Sequence, residues 1–245
     1  MAKKKIYISP SDQTSNKYAG VNTTEAVQCR KIGKELEKEL DRCGFISNCN
    51  TTSGMYARID ESNRGKYDVH FCIHTNAFNK KTAGTRIFVY SNTGEAYKLA
   101  KSIFNELAPL TPGTSENITV NKSLAEIKNT TAICVYIEVD FHDVKKVAEW
   151  IVDNTKEIAK AIAKGTCNHY GVKYVPKAKA ASFNVKVTTE QLNVRNGAGT
   201  NYRAIGIADK GDVYTIVGTK SVNGVKWGKI KLTGYWISLK YTTSI

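Results

Sequence analysis

The sequence predicts an α/β protein with a larger three-layer domain, built on a mostly parallel sheet, and a small all-β barrel after it. Between residues 5 and 164, short apolar runs alternate with segments of helical periodicity. From residue 185 onward the helical period is lost, and short alternating runs are separated by turns that contain Gly or Asn. A polar, small-residue stretch separates the two patterns. We therefore predict domains at residues 1–174 and 185–245, joined by a linker at 175–184.

Each element of the larger domain has its own signal. Residues 5–8 predict the first strand, and residues 25–40 predict an amphipathic helix with Ile32, Leu36 and Leu40 on one face. Further strands are predicted at 44–47, 68–74, 85–90 and 132–138, and further helices at 56–66, 95–107 and 143–164. Alternation of strands and helices favours a sheet covered on both faces.

Composition limits the classes of protein that fit. The chain has 245 residues and a net charge of +14, so it has affinity for something anionic: nucleic acid, a membrane surface or an anionic cell wall. Residues 1–176 carry 25 Lys or Arg against 19 Asp or Glu, and residues 177–245 carry 11 against 3, so the smaller part holds more of the excess. The six cysteines form no Cys-x-x-Cys pair, which predicts neither a disulfide framework nor a zinc knuckle.

Targeting signals are weak. No apolar run approaches the ~20 residues that span a bilayer, which predicts no membrane insertion. The basic start is followed by only three apolar residues, Ile6 to Ile8, which is far short of a signal peptide. We therefore expect synthesis in a cytoplasm without a signal peptide.

Polar side chains stand at three predicted strand ends and at one helix start. They are Asp12 and Gln13 after the first strand, His74 after the third, Glu138 at the end of an apolar run, and Glu25 in the first turn of the first helix. In open α/β sheets, ligands bind beyond the carboxyl ends of the strands. One imidazole with several carboxylate or amide oxygens is a plausible set of zinc ligands, with a further carboxylate to move a proton.

Three motifs then resemble the zinc-dependent N-acetylmuramoyl-L-alanine amidases. Asp68-Val-His-Phe-Cys-Ile-His74-Thr-Asn-Ala is similar to their segment that supplies a histidine ligand, and Asn22-Thr-Thr-Glu25 is similar to the one that supplies a glutamate ligand. Val135-Tyr-Ile-Glu138 is similar to the strand end that supplies their catalytic glutamate. The resemblance spans residues 5–165. It implies Zn²⁺ as cofactor, Glu25 and His74 as ligands, and Glu138 as the catalytic residue.

One motif departs from the family. Its members usually open with Asp-Pro-Gly-His-Gly-Gly, whose histidine is a zinc ligand, whereas this chain has Ser9-Pro-Ser-Asp12-Gln13-Thr. Strict alignment places Asp12 at the histidine position. The opening also resembles clostridial phage and prophage amidases with Ser-Pro-Ser-x-Gln, which favours Gln13 as the third ligand or a water-positioning group.

The resemblance implies metal-assisted amide hydrolysis, in which zinc polarises the scissile carbonyl and Glu138 moves the proton. Because Glu138 ends an apolar strand, burial should raise its pKa.

Residues 190–241 resemble the bacterial SH3 family. The opening Leu192-Asn-Val-Arg-Asn-Gly-Ala-Gly-Thr-Asn-Tyr202 is similar to that family's, and the later Trp-Gly-Lys-Ile and Gly-Tyr-Trp-Ile segments follow its pattern. The resemblance implies an SH3-like barrel that binds peptidoglycan peptides or wall polymers. The ligand contacts that we predict are Tyr202, Tyr235 and Trp236.

Two other functions fit part of the sequence. The charge suggests a nucleic-acid-binding protein, but the sequence contains no RNA motif, helix-turn-helix or zinc finger, so we predict no nucleic-acid partner. A wall-binding protein on an inactive amidase fold is favoured only by the missing histidine. The combined features predict a peptidoglycan hydrolase of phage or prophage endolysin type, or an autolysin. We expect it to act on Gram-positive peptidoglycan and its anionic polymers, at the cell wall after release.

Overall fold

The computed structural model describes residues 3–177 and 181–245, and it contains two compact units that divide after Lys177. The predicted linker at 175–184 spans this division, and its residues 178–180 lie outside the described residues. Each unit has its own cluster of buried apolar side chains.

The first unit alternates strands and helices. In chain order, the elements are β1 (Lys5–Pro10), α1 (Glu25–Arg42), β2 (Ile46–Cys49), α2 (Met55–Arg64), β3 (Val69–Asn76), β4 (Arg86–Val89), α3 (Gly94–Leu107), β5 (Asn117–Val120), α4 (Ala125–Asn129), β6 (Ile133–Phe141), α5 (Lys145–Asp153) and α6 (Thr155–Tyr170). The sheet order is β2-β1-β3-β6-β4-β5, and only the β4–β6 pair is antiparallel. The prediction of a mostly parallel sheet is confirmed.

The two faces of this sheet differ in chemistry, because successive residues of a strand point to opposite sides. One face carries apolar side chains such as Ile8, Phe71 and Ile137, which belong to the main core together with residues of α1, α3 and α6. The opposite face of β1, β3 and β6 is largely polar. Its side chains are Tyr7, Ser9, His70, Cys72, His74, Cys134, Tyr136 and Glu138, and α2 and α4 cover it. The polar face leads directly to the candidate site.

The predicted helix at 143–164 is two helices. Asn154 separates α5 from α6 with a non-helical backbone (φ −109°, ψ 19°), and its side-chain Nδ2 donates to the carbonyl of Trp150 at 2.8 Å. Asn competes for backbone hydrogen bonds in this way, which interrupts a helix that apolar periodicity alone would continue.

The second unit consists of antiparallel strands. They are β7 (Phe183–Val187), β8 (Gln191–Arg195), β9 (Ala204–Asp209), β10 (Val213–Val222), β11 (Val225–Ile230), β12 (Trp236–Ser238) and β13 (Thr242–Ser244), in the sheet order β13-β7-β10-β11-β12-β8-β9. Alternate residues such as Leu192, Ile216 and Ile237 form its small core. A single 3₁₀ turn at Leu239–Tyr241 lies between β12 and β13.

Two predictions from composition concern the whole chain. All six cysteines are buried free thiols. Among the helices of residues 3–177 and 181–245, none has the length and apolar composition that a bilayer-spanning segment needs.

Candidate active site

The amino end of α1 and the carboxyl end of β3 bring a glutamate and a histidine into contact. Glu25 is the first residue of α1, directly after the N-cap Thr24, and His74 is the third residue from the end of β3. Glu25 Oε1 lies 2.9 Å from His74 Nδ1, and the two residues are 1% and 7% exposed. Two ligand atoms of a tetrahedral zinc ion lie about 3.3 Å apart. The pair is therefore spaced almost as two ligands of one ion would be.

Glu138 lies beside this pair, because it is the register partner of His74 on the neighbouring strand β6. Its Oε2 is buried and finds no hydrogen-bond partner within the described residues. Burial raises the pKa of Glu138 to about 7, the charge of His74 opposes this rise, and the charge of Glu25 adds to it. The expected rise in pKa is thus confirmed. A carboxyl group that titrates near neutrality can both accept and release a proton.

Several carboxylates converge on the imidazole of His74. Burial alone would lower the pKa of His74, but the adjacent carboxylates of Glu126, Glu25 and Glu138 raise it to about 9. For Glu25, burial raises the pKa, and the larger combined effect of His74 and its other hydrogen-bond donors lowers it below its usual value. The local field therefore favours a positive charge at this point.

Glu126, on the short helix α4, holds the other side of the histidine. Its Oε1 accepts a hydrogen bond from Ser9 Oγ and lies 3.2 Å from His70 Nε2, while its Oε2 faces His74 Nε2 at 3.7 Å. Ser9 Oγ in turn accepts from the buried Arg58 Nε at 2.8 Å. Although burial opposes it, the hydrogen bonds with His70 and Ser9 and the nearby imidazole of His74 hold the pKa of Glu126 well below its usual range. The carboxylate is thus fixed and charged.

His70, Cys72 and Glu126 form a second group of possible metal ligands. Their ligating atoms all lie within 4.8 Å of one another, and all three residues are buried. A catalytic zinc site keeps one position open for water or substrate. The buried group of His70, Cys72 and Glu126 is closed and leaves no such position. Glu25, in contrast, accepts a hydrogen bond from the loop before α1, whose residues 13–15 are exposed. Glu25 and Glu126 face different nitrogens of His74, so one ion at this imidazole contacts only one of them.

The family of the chain follows from its match to a family model. Residues 9–168 match the model for N-acetylmuramoyl-L-alanine amidases, and this match includes every residue of the site described above. The chain belongs to the N-acetylmuramoyl-L-alanine amidase family. Its first unit therefore has the fold of enzymes that act on peptidoglycan.

Solved structures of amidases share this fold at low sequence identity. The catalytic domain of CwlV, an N-acetylmuramoyl-L-alanine amidase from Bacillus (Paenibacillus) polymyxa var. colistinus, is 18% identical, covers 69% of this chain and 99% of its own, and has a TM-score of 0.62. The amidase AmiC2 of Nostoc punctiforme is 15% identical, with coverage of 69% and 98% and a TM-score of 0.61. The catalytic domain of the CD27L endolysin targeting Clostridia difficile is 21% identical, with coverage of 69% and 98% and a TM-score of 0.57.

A comparison with curated proteins found no match to this chain. The solved structures cover 69% of this chain, and the family match lies wholly within the first unit.

The two candidates for the third ligand take different places in this amidase fold. Asp12 turns toward α2, where its Oδ2 accepts from Met55 N at 3.1 Å and from Arg58 Nη1 at 3.4 Å. Asn16 Nδ2 lies 2.7 Å from both Gln13 Oε1 and Glu25 Oε2, so these two oxygens are at most 5.4 Å apart. The side chain of Asn16 alone therefore bridges Gln13 and Glu25, whereas the carboxylate of Asp12 bonds to α2.

Glu126 is the site residue that sequence reasoning missed. It lies on a helix of five residues, which is too short for a periodic signal, and its neighbours in the sequence, Ala125 and Ile127, are ordinary apolar residues. Only the crossing of α4 over the polar face of the sheet brings its carboxylate to His70 and His74. An acidic residue directly beside two apolar ones was the available signal.

The three predicted wall contacts occupy different environments in the second unit. Tyr202 packs on Gly197, where an added Cβ would lie 2.2 Å from the tyrosine ring, and it is 40% exposed. Tyr235 is 42% exposed, and the half-buried Trp236 pairs with Arg195 of β8. The two tyrosines are accessible to a ligand, and all three contacts stay predictions.

A cleft of about 360 Å³ adjoins the His74–Glu138 end of the sheet. It is lined by Asn76, which follows His74 by two residues, by Phe141 at the end of β6, and by Arg86, the register partner of Glu138 on β4. Arg86 Nη2 donates to Ser115 Oγ at 2.6 Å, and the guanidinium carbon lies 5.8 Å from the ring centre of Phe141. The cleft thus presents a fixed positive charge on β4, the strand that pairs with β6 at Glu138.

Proposed function

We propose that this chain is a zinc-dependent amidase that hydrolyses the bond between N-acetylmuramic acid and L-alanine in peptidoglycan. The observation that carries the proposal is the contact of Glu25 with His74 Nδ1 next to the buried, unpartnered Glu138 carboxyl. The family match over residues 9–168 supports the choice of substrate.

The residues present fit a zinc ion. Glu25 Oε1 and His74 Nδ1 would be two ligands, and Gln13 Oε1 would be the third, after a rotation that releases Asn16. Nitrogen and oxygen ligands of this kind suit zinc, and three protein ligands leave a position for water or substrate. The buried Glu138 Oε2 without a partner is the atom that such a centre would require for proton transfer.

Proton transfer is the role of Glu138. Bound zinc supplies Lewis acidity, which polarises the scissile carbonyl and makes an attacking water more acidic. The Glu138 carboxylate accepts the proton of that water and then donates it to the departing alanine nitrogen. A pKa near 7 suits both halves of this task.

Glu126 would set the orientation of His74. When Nε2 of a ligand histidine carries the proton and faces a carboxylate, Nδ1 keeps its lone pair for the metal. The 3.7 Å separation of His74 Nε2 from Glu126 Oε2 allows a hydrogen bond to form after a shift of about 0.7 Å. Ser9 and His70 hold the glutamate in place for this purpose.

The Arg86 cleft would receive the peptide side of the substrate. Wall peptides carry carboxylates, and a guanidinium fixed by Ser115 offers them a directed pair of donors. With the peptide held there, the bond to be cut would lie between the cleft and Glu138.

The second unit would hold the enzyme on the wall. Its resemblance to bacterial SH3 domains and the net charge of +8 over residues 177–245 favour a basic module for Gram-positive peptidoglycan and its anionic polymers. Tyr202, Tyr235 and Trp236 are the proposed contacts.

We assign the chain to the endolysins of phages or prophages, or to the autolysins. In the first case it is made in the host cytoplasm and reaches the cell wall after release.

The test is digestion of purified Gram-positive peptidoglycan, followed by measurement of new N-terminal alanine. We expect release of alanine amino groups that a chelator abolishes and added zinc restores. Release of reducing sugars or of other amino termini instead would assign a different bond.

An inactive wall-binding protein is the second candidate, and the absence of a histidine from residues 9–14 is the observation that favours it. In that case the same digestion would give wall-bound protein and no new amino termini.

A further inference from the structure

The second unit contains a slot between β8 and β12, which pair at one end and separate beyond it. The only register pair of β8 and β12 in the described chain is Trp236 with Arg195. An antiparallel ladder continued from there would place Ser238 opposite Asn193 and Lys240 opposite Gln191. Instead, these four residues line a cavity of about 700 Å³.

The slot is bounded at its far end. There the backbone N–H of Thr188 donates to the carbonyl of Tyr241 at 3.0 Å, so the two chain segments meet again. Since a strand rises about 3.3 Å per residue, the open stretch from Gln191 to Val194 accommodates about three to four residues of extended peptide.

The wall formed by β8 offers an unused strand edge. The carbonyl of Glu190 accepts from Lys210 N on the β9 side, so alternation directs the amide groups of Gln191 and Asn193 to the other side, into the slot. An extended peptide adds to such an edge through its main chain.

A buried hydroxyl on the opposite wall also lacks a partner. Ser238 on β12 is 6% exposed, lines the slot, and its Oγ has no hydrogen-bond partner in residues 181–245 or elsewhere in the described chain. Leaving a buried hydroxyl unpaired costs free energy that a bound donor or acceptor would recover.

The charge of the slot identifies the kind of peptide. None of its lining residues is acidic, and two are cationic: Lys240, which is exposed, and Arg195, whose Nη1 holds the carbonyls of Thr200 and Tyr202 and so fixes the adjacent loop. A phosphate-rich polymer would need a denser row of cations than these two. The remaining polar lining consists of amides and hydroxyls, which suit a peptide backbone.

We propose that the slot between β8 and β12 binds a short, extended peptide with a free carboxylate, by strand addition to Gln191 and Asn193. Ser238 Oγ binds the peptide main chain, and Lys240 binds the carboxylate. The inference rests on the proposed function only in taking the wall as the source of the peptide. It also shifts the main contact from the predicted aromatic residues to this slot, since Tyr202, Tyr235 and Trp236 do not line it.

The test is calorimetric titration of the full chain, in the presence of a chelator, with acetyl-Ala-Glu-Lys-Ala and with its C-terminal amide. We expect the free acid to bind more tightly than the amide. Loss of one hydrogen bond in Ser238→Ala should weaken binding about three- to tenfold. Loss of one exposed ion pair in Lys240→Gln should weaken it about two- to fivefold and remove the preference for the free acid.

Lys226→Gln is the matched control. Lys226 lies on β11 between the slot-lining Val225 and Trp227 but does not line the slot itself, so this variant should bind as the unaltered chain does.

Three results would overturn the proposal. They are no binding of the peptide acid, binding of poly(glycerol phosphate) alone, and loss of peptide affinity in Tyr235→Ala but not in Ser238→Ala. Because the chelator removes hydrolysis from the measurement, a chain without amidase activity still tests the slot, and an active amidase that fails to bind the peptide refutes it.

Discussion

At the scale of single residues, one polar face of a sheet holds both the proposed proton-transfer carboxyl and the proposed ligand histidine. Glu138 and His74 are register partners on β6 and β3, and each has a buried atom that no described residue satisfies. Unpaired buried polar atoms cost free energy and are uncommon in folded proteins. Their concentration at one place is the physical argument for chemistry there.

Glu138→Gln tests proton transfer with little change of shape. Glutamine cannot accept the proton of the attacking water, so we expect alanine release to fall by about 10²–10⁴-fold. Zinc content should be unchanged, because the ligands are other residues. Glu61→Gln is the matched control, since Glu61 bonds Tyr7, Asn48 and Asn50 away from His74. Equal losses in both variants would contradict a specific role for Glu138.

The pH profile of hydrolysis follows from the raised pKa of Glu138. The base must be ionised, so kcat/KM should fall about tenfold per pH unit below its pKa. Burial sets that pKa to about 7, and a bound cation would lower it, so we expect the acidic limb at or below pH 7. A limb well above pH 7 would assign the decisive proton to a different group.

Glu126→Gln tests the orientation of the ligand histidine. Loss of a carboxylate behind a metal-bound imidazole lowers metal affinity by about 10–100-fold. We expect this weakening in a competition titration with a chromogenic chelator, together with native circular dichroism. Zinc affinity equal to that of Glu61→Gln would show that Glu126 only stabilises the fold.

At the scale of elements, the strongest apolar runs were predictable and the short polar ones were not. β1, β3 and β6 are apolar on the core face, and α1 has clear periodicity, so the residues they position, Glu25, His74 and Glu138, were found from the sequence. β5 has four residues, and both it and α4 were missed.

The third-ligand question has the same origin. Sequence alignment gives only the order of residues along the chain, so it could not show that the adjacent Asp12 and Gln13 point to different partners. Their side chains diverge because the buried Arg58 draws Asp12 toward α2, while Asn16 ties Gln13 to Glu25. Partners so distant along the chain leave no local pattern.

Helices α3 and α6 cross closely at a glycine. A Cβ on Gly165 would lie 2.4 Å from Ile103 Cα, so the two backbones leave no room for a methyl group. Gly165→Ala should destabilise the protein by about 1–3 kcal/mol from overpacking, although alanine is the better helix former. The measurement is the free energy of unfolding in urea. The exposed Lys156→Ala on the same helix should stay within about 0.5 kcal/mol of the unaltered chain, and a stabilised Gly165→Ala would contradict the close crossing.

At the scale of the whole molecule, the candidate site lies in one unit and the density of positive charge is higher in the other. The first unit has the amidase fold and the candidate site, whereas the second has its own core and carries half of the net charge of +14 on residues 178–245 alone. Exposed charges act over about 10 Å at 0.1 M salt and over less at higher salt. Wall binding should therefore weaken as salt rises, while hydrolysis of soluble fragments should change little.

A truncated chain that ends at Lys177 tests whether hydrolysis and wall binding belong to different units. Because its core is independent of the second unit, we expect it to fold and to hydrolyse soluble wall fragments at an unchanged rate. Its bound fraction on intact walls should drop sharply in a sedimentation assay. Equal sedimentation of the two chains would contradict the proposed wall-binding role of the second unit.

The central claim is that the metal lies on the Nδ1 side of His74, between Glu25 and Gln13 and next to Glu138. The most direct measurement is an anomalous difference map, recorded on both sides of the zinc absorption edge, from a crystal of the zinc-loaded protein. We expect one strong peak about 2.0–2.2 Å from Glu25 Oε1 and His74 Nδ1. A peak inside the closed group of His70, Cys72 and Glu126, or no peak at either place, would contradict the account.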